Sequence, residues 1–188
     1  MRSHIFSTPA VARQRRPALA LIATSTGAAL VVIISGTIGG LRINTTPSEP
    51  LGLWRVAPLD RPVQVGDLVF VCPPQTDAIS EGVKRGYLRS GLCPGGFGPL
   101  IKTAAAVAGQ RIDVADAIAI DGRQIANSDL VAQDGLGRRL RPYSGGTIPA
   151  GFLFLHSPFP GSWDSRYFGP VPASGVLGLA KQVLTYAP

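Results

Sequence analysis

The stretch Leu100–Val114, LIKTAAAVAGQRIDV, decides the fold class. It reads as a strand, a small-residue stretch, a turn at Gly109 and a further apolar run. Just beyond it, IAIDGRQIA (Ile118–Ala126) places an Asp-Gly pair between two short apolar runs, which is a hairpin signal. The pattern recurs on both sides. Upstream, RPVQVGDLVFVCPP (Arg61–Pro74) has a turn at Gly66-Asp67 and then a strand. Downstream, TIPAGFLFLHSP (Thr147–Pro158) is a turn followed by a buried strand. Short apolar runs with turns between them predict an all-β domain. Two stretches depart from the pattern. Residues 73–99 are rich in Gly and Pro and contain SEGVKRGYLRSGL (Ser80–Leu92), which predicts one short helix within an insertion. Residues 132–146 read as a polar loop. The closing SGVLGLAKQVL (Ser174–Leu184) is either a last strand or a short helix.

With 188 residues the chain has room for one domain and an extra segment. The net charge of +7 invites a nucleic-acid reading, but position argues against it. Four arginines precede residue 17. From Arg42 onward there are 14 basic and 11 acidic residues, leaving only +3. No helix-turn-helix or zinc-finger spacing is present, so nucleic acid is excluded as the expected partner. Residues Ala18–Leu41 form an uncharged run of 24, and about 20 apolar residues span a bilayer core. The arginines before it place residues 1–17 in the cytoplasm, 18–41 in the membrane and 42–188 across it. The alternative is a cleaved signal peptide, for which the run is long. Beyond a bacterial inner membrane the compartment is oxidising, so Cys72 and Cys93 are expected to form a disulfide that staples the insertion. Two buried thiols are the alternative. With one exported histidine, His156, no metal site is expected, and no cofactor.

The stretch NTTPSEPLGLWRV (Asn44–Val56) follows the apolar run directly. It reads as a linker leading into a strand, or as a loop presenting Ser48 as a nucleophile. A serine nucleophile needs a base. His156, between a strand and a proline turn, is the only histidine for a Ser-His-Asp triad, and in that setting it reads as a packed residue. The chain has three lysines, Lys84, Lys102 and Lys181. Lys102 stands apart because no charged residue lies within eight positions on either side. A lysine in an apolar strand loses hydration and its pKa falls, so a neutral amine can take a hydroxyl proton. The alternative is a lysine snorkelling from a strand edge. Finally, HSPFPGSWDSRYFGPV (His156–Val171) gathers serines, an Asp164–Arg166 pair that would fix a turn, and a Ser162 hydroxyl able to orient an amine.

These three stretches, in this order behind an apolar anchor, resemble the type I signal peptidase family. They are most similar to its conjugative-transfer branch, the TraF-type pilin-processing peptidases. PSEPLGLWRV resembles the nucleophile box, PLIKTAAAVAGQRI the lysine box and GSWDSRYFGPV the final box, over about residues 40–180. Glu49 stands where general signal peptidases carry methionine, and Gln110 where the lysine box usually has Asp. The glutamate, with the small size and the Cys-containing insertion, suits the conjugative branch.

The resemblance implies a mostly β fold of antiparallel sheets that form a substrate groove, with one N-terminal transmembrane helix. It implies Ser48 as nucleophile, Lys102 as general base, Ser162 as the hydroxyl that holds the amine, and Asp164 and Arg166 as support. Thr46 and the Ser48 N–H would form the oxyanion hole. Leu51, Leu53 and Trp54 would rest on the membrane surface or join the core. The implied partners are a pilin precursor or another exported preprotein, inner-membrane lipid and a conjugative-transfer apparatus. The product would be a cleaved or a cyclised pilin. The alternatives are a general leader peptidase and a non-catalytic periplasmic assembly factor.

Overall fold

The computed structural model describes residues 9–187. Residues 1–8 of the expected cytoplasmic segment 1–17 lie outside the described residues. The chain divides into two units, one ending at Leu41 and one beginning at Arg42.

The first unit is the helix α1, Pro9–Thr37. Within it Pro17–Gly36 has a mean hydropathy of 2.2 and is long and apolar enough to cross a membrane. Leu19, Ile22, Val32 and Ile34 are exposed, so the span has no polar face. The helix stops at Thr37, four residues before the expected end of the anchor at Leu41. Gly39 and Gly40 follow, and Gly40 takes a left-handed φ of 65°.

The second unit is built from antiparallel strands. In chain order it contains β1 (Leu41–Asn44), β2 (Leu51–Ala57), β3 (Leu68–Val71), α2 (Asp77–Lys84), β4 (Leu100–Val107), β5 (Arg111–Val114), β6 (Ile118–Ile120), β7 (Arg123–Gln124), β8 (Gly146–Thr147), β9 (Phe152–His156), the one-turn helix α3 (Ser165–Phe168), β10 (Val171–Pro172) and β11 (Val176–Tyr186). Seven strands form one sheet in the order β1-β2-β11-β3-β4-β9-β10, and four form a second, β7-β6-β5-β8. The C-terminal stretch is therefore a strand. It sits between β2 and β3, so the last segment closes the sheet beside the first ones. Two glycines make that possible. A Cβ on Gly52 would lie 2.3 Å from the Leu184 carbonyl oxygen, and one on Gly178 2.3 Å from that of Ala57. Both have positive φ, 120° and 150°, which other residues rarely adopt.

The predicted turns hold. The Gly66-Asp67 turn precedes β3, and Gly109 links β4 to β5. Asp121 and Gly122 both take positive φ in the β6–β7 hairpin, as its Asp-Gly signal requires. The small-residue stretch does not interrupt β4, which runs on through Ala104 and Ala106. Both are fully buried, one against Val69 and Leu155 and the other against Ile112 and Phe154. Small side chains let a strand with covered faces pack closely. Trp54 is fully buried with Phe70, Ile101 and Ala180, which places it in the core rather than on a membrane surface.

The insertion forms one helix, α2, earlier than the Ser80–Leu92 stretch suggested. Thr76 caps it by accepting from the Ile79 N–H at 3.3 Å, and Asp77 suits the positive end. After Lys84 the chain turns through Gly86 at φ 78°. Cys72 and Cys93 are bonded, with Cα atoms 5.5 Å apart, and Cys93 packs with Ile79, Leu88 and Phe97 in a small core of the insertion's own. With the bridge formed, the two-thiol alternative is set aside. Closing a loop of 21 residues' separation stabilises by about 3 kcal/mol in the chain-entropy model. The Cys72→Ala/Cys93→Ala protein should therefore lose about that much in denaturant unfolding. An unchanged midpoint would show that the small core holds the insertion without the staple.

Candidate active site

A cavity of about 880 Å³ in the second unit is lined by Thr46, Ser48, Lys102 and Ser162, with the insertion supplying a wall through Tyr87 to Pro94. Three segments distant in sequence meet there: the β1–β2 loop, strand β4, and the loop before α3. Both bridged cysteines also line it.

Lys102 reaches the cavity because β4 alternates. It pairs in register with Val69 of β3, on the face that Ala104 and Val71 also cover. Its side chain is 2% exposed. Burial is the largest influence on the amine and lowers its pKa to about 8. The Asp164 and Glu49 carboxylates oppose that fall, and the Arg166 guanidinium adds to it. No hydrogen bond holds the amine among the described residues. The Ser162 hydroxyl, buried on the same cavity, likewise has no partner there.

Asp164 and Arg166 form the expected pair, and both are fully buried. Arg166 Nε donates to Asp164 Oδ1 and Nη2 to Oδ2, each at 2.9 Å. Asp164 also caps α3, accepting from the Arg166 N–H at 3.1 Å. Arg166 donates onward to the carbonyl oxygens of Asp129, Phe159 and Ser162. The pair therefore sets the path of the loop that carries Ser162.

Ser157 joins the site without a clear local sequence signal. It is fully buried. Its N–H donates to Asp164 Oδ2 at 3.2 Å, and its hydroxyl donates to the Ser48 carbonyl oxygen at 2.5 Å. The Asp164–Arg166 pair is thus connected to the backbone of Ser48 through one residue. The only local hint was a serine beside Pro158, because the partner lies 109 positions away. Glu49 is the second addition. Burial raises its carboxyl pKa while Lys102 draws it down, and its Oε1 has no partner.

Thr46 lies on the cavity, but its hydroxyl donates to Asn44 Oδ1 at 2.8 Å. His156 does not line the cavity. Its Nε2 lies 3.1 Å from the Asn127 carbonyl oxygen, and burial lowers its pKa. The triad reading is left with a histidine turned to backbone. Gln110, at the departure from the lysine box, accepts from the Val107 N–H and donates to Asp121, bracing the β4–β5 turn against the hairpin. Trp163 stacks on Tyr167 at 5.2 Å and meets Tyr87 at 5.1 Å. A Cβ on Gly82 of α2 would lie 2.6 Å from its indole nitrogen. The insertion is therefore packed directly onto the loop that bears Ser162 and Asp164.

The lowered Lys102 pKa has a consequence for stability. In the unfolded chain a lysine ionises near 10.5, so unfolding takes up a proton between about pH 8 and 10.5. The cost of burying the ammonium is felt in full below pH 8 and fades as pH rises toward 10.5. Lys102→Met should therefore stabilise the protein at pH 7 by about 3 kcal/mol, with a gain that shrinks across that window. A gain independent of pH would mean that the amine carries no such cost. Denaturant unfolding at pH 7 and pH 10 measures it.

The sequence signature of the family described as "Signal peptidase, peptidase S26" matches residues 15–185. The chain is 58% identical over 176 residues to "Probable conjugal transfer protein TraF" of Sinorhizobium fredii, covering 94% of each. It is 60% identical over 155 residues to "Conjugal transfer protein TraF" of Agrobacterium fabrum, covering 82% of this chain and 88% of that one. Among solved structures, a signal peptidase I from Enterococcus faecalis matches with a TM-score of 0.39 at 18% identity, over 63% of this chain and 97% of that one.

Proposed function

The chain belongs to the signal peptidase family, peptidase S26, and we propose that it is a membrane-anchored serine endopeptidase working through Ser48 and Lys102. The observation that carries this reading is a buried amine, with a pKa near 8, on the same cavity as Ser48 and Ser162. A lysine in water stays protonated at pH 7 and cannot act as a base. This one is shifted far enough that a useful fraction is neutral.

In this reading the substrate lies extended in the groove. Ser48 Oγ attacks the scissile carbonyl and its proton passes to Lys102 Nζ, which the Ser162 hydroxyl orients. The Ser48 N–H and the Thr46 hydroxyl receive the oxyanion, and Thr46 must turn from Asn44 to do so. The tetrahedral intermediate collapses, the leaving amine takes the proton from Lys102, and the acyl group stays on Ser48. Water then releases a cleaved product, or an amine from the same substrate chain releases a cyclic one. Asp164 and Arg166 support the loop of Ser162.

The names of the relatives suggest the setting, since both are called conjugal transfer proteins. We take the substrate to be a pilin precursor made for conjugative transfer, and the transfer apparatus to be its destination. Residues 18–37, the part of the expected 18–41 segment that is helical, would form a single-pass inner-membrane anchor. Residues 1–17 would then be cytoplasmic and 42–188 periplasmic, with the stapled insertion at 73–99 beside the groove. The oxidising periplasm suits the disulfide.

The test is co-expression with a candidate pilin precursor, read by mass spectrometry of the product. Ser48→Ala and Lys102→Arg should both leave the precursor intact, because arginine stays charged. His156→Ala should process it normally. Thr46→Val should slow processing by about 10²–10³-fold, the cost of one oxyanion donor. Normal processing by Ser48→Ala would end the enzyme reading in favour of an assembly factor. Processing of many unrelated exported proteins would favour a general leader peptidase.

A further inference from the structure

The loop between β1 and β2 carries Ser48 without regular secondary structure, yet it is closely held. Asn44, the last residue of β1, turns its side chain back over the loop. Its Nδ2 donates to the carbonyl oxygens of Thr46 at 2.9 Å, Glu49 at 2.9 Å and Pro50 at 3.0 Å. Its Oδ1 accepts from the Thr46 N–H at 3.1 Å and from the Thr46 hydroxyl at 2.8 Å. A carboxamide nitrogen carries two hydrogens, so three acceptors share them in a three-centre arrangement. The donors and the acceptor of Asn44 are all spent within its own loop. Trp54 Nε1 adds a second donor to the Pro50 carbonyl at 2.9 Å, and Ser157 holds that of Ser48. The carbonyls of Thr46, Ser48, Glu49 and Pro50 are thus each fixed by a side chain, on both sides of the nucleophile.

We propose that Asn44 is the positioning residue of the nucleophile: its carboxamide fixes the backbone from Thr46 to Pro50 so that Ser48 is presented to Lys102. It acts through that backbone and needs no contact with substrate. The residue type follows from the chemistry. Only a carboxamide offers donors to the far end of the loop and an acceptor to the near end from one planar group. An aspartate has the same shape and keeps the acceptor for Thr46. It loses every donor and sets a carboxylate against three carbonyl oxygens. Asn44→Asp therefore separates the carbonyl clamp from the hold on the Thr46 hydroxyl.

This inference rests on the Ser48–Lys102 reading, and the experiment tells the two apart without a substrate. Both native cysteines are bridged. In Ser48→Cys, residue 48 is therefore the single free thiol among the described residues, and iodoacetamide reports its ionisation. A free cysteine ionises near 8.5. Next to Lys102, with Asp164, Glu49 and Arg166 as the other charges coupled to that amine, the alkylation profile should depart from this value and should change in Lys102→Met/Ser48→Cys. Adding Asn44→Asp should move the profile toward that of a free cysteine and change the rate at pH 7 by about tenfold, which is one unit in thiol pKa. Asn44→Gln keeps the amide on a longer stem and should recover part of the effect, which general loosening would not. Thermal unfolding fixes a temperature at which every variant is folded. A profile that responds to Lys102→Met but not to Asn44→Asp overturns the role of Asn44. A profile indifferent to Lys102→Met removes the Ser48–Lys102 pairing, and this inference with it.

Discussion

The buried pair of Asp164 and Arg166 is the constraint on which the rest of the site depends. Two charges with no exposure to solvent are costly to bury, and their attraction offsets that cost only when their other valences are met. Here they are met. Asp164 accepts from Ser157, from the Arg166 backbone and from both sides of the guanidinium. The guanidinium donates to three carbonyls along two loops. Such a pair contributes geometry more than net stability, because apolar residues in place of a buried ion pair often fold as well but direct no chain. It fixes the loop that carries Ser162 and, through Ser157, the carbonyl of Ser48. It also acts on Lys102 with both signs. The carboxylate favours the ammonium, the guanidinium opposes it, and burial is left as the leading influence.

The loop that carries Ser48 is held from two directions that owe nothing to one another. Asn44 grips it from β1, and Ser157 reaches it from the loop after β9. The wall opposite belongs to the insertion, which the disulfide closes and Trp163 binds to the same SWDSR segment. Gly82 permits this contact, since any side chain there would strike the indole. The insertion thus shares a foundation with Asp164, and its shape is tied to the site's.

Much of this was legible in the sequence, because the information was local. Turns at Gly66, Gly109 and Asp121-Gly122 are written in residues that tolerate positive φ or favour tight turns. Lys102 announced itself by an absence of charge around it. The three boxes named the residues that meet at the cavity. What escaped was non-local or carried by side-chain hydrogen bonds. Nothing near Ser157 marks its partner, and nothing in the run of alanines tells that β4 is covered by β3 on one side and β9 on the other. The helix of the insertion begins earlier than its charged stretch suggests because Thr76 and Asp77 supply its cap and first turn. The place of β11 between β2 and β3 depends on close approach at Gly52 and Gly178, which only assembled strands can reveal.

Strand β4 sets the surroundings of Lys102. A lysine at its second buried position could have been accommodated by an edge strand, where the stem lies along the sheet and the ammonium reaches water. The pairing of β4 with both β3 and β9 removes that escape. Beyond Lys102 the same face carries Ala104, fully buried against Val69 and Leu155, so the neighbouring strands close over it instead of leaving a channel for solvent. The amine's remaining outlet is the cavity that Ser48 and Ser162 line. Topology alone therefore does two things to this side chain. It strips the water that would keep the amine charged, and it leaves the amine on the cavity that Ser48 and Ser162 also line. The carboxylates of Asp164 and Glu49 limit the fall in pKa that burial causes, leaving it at about 8.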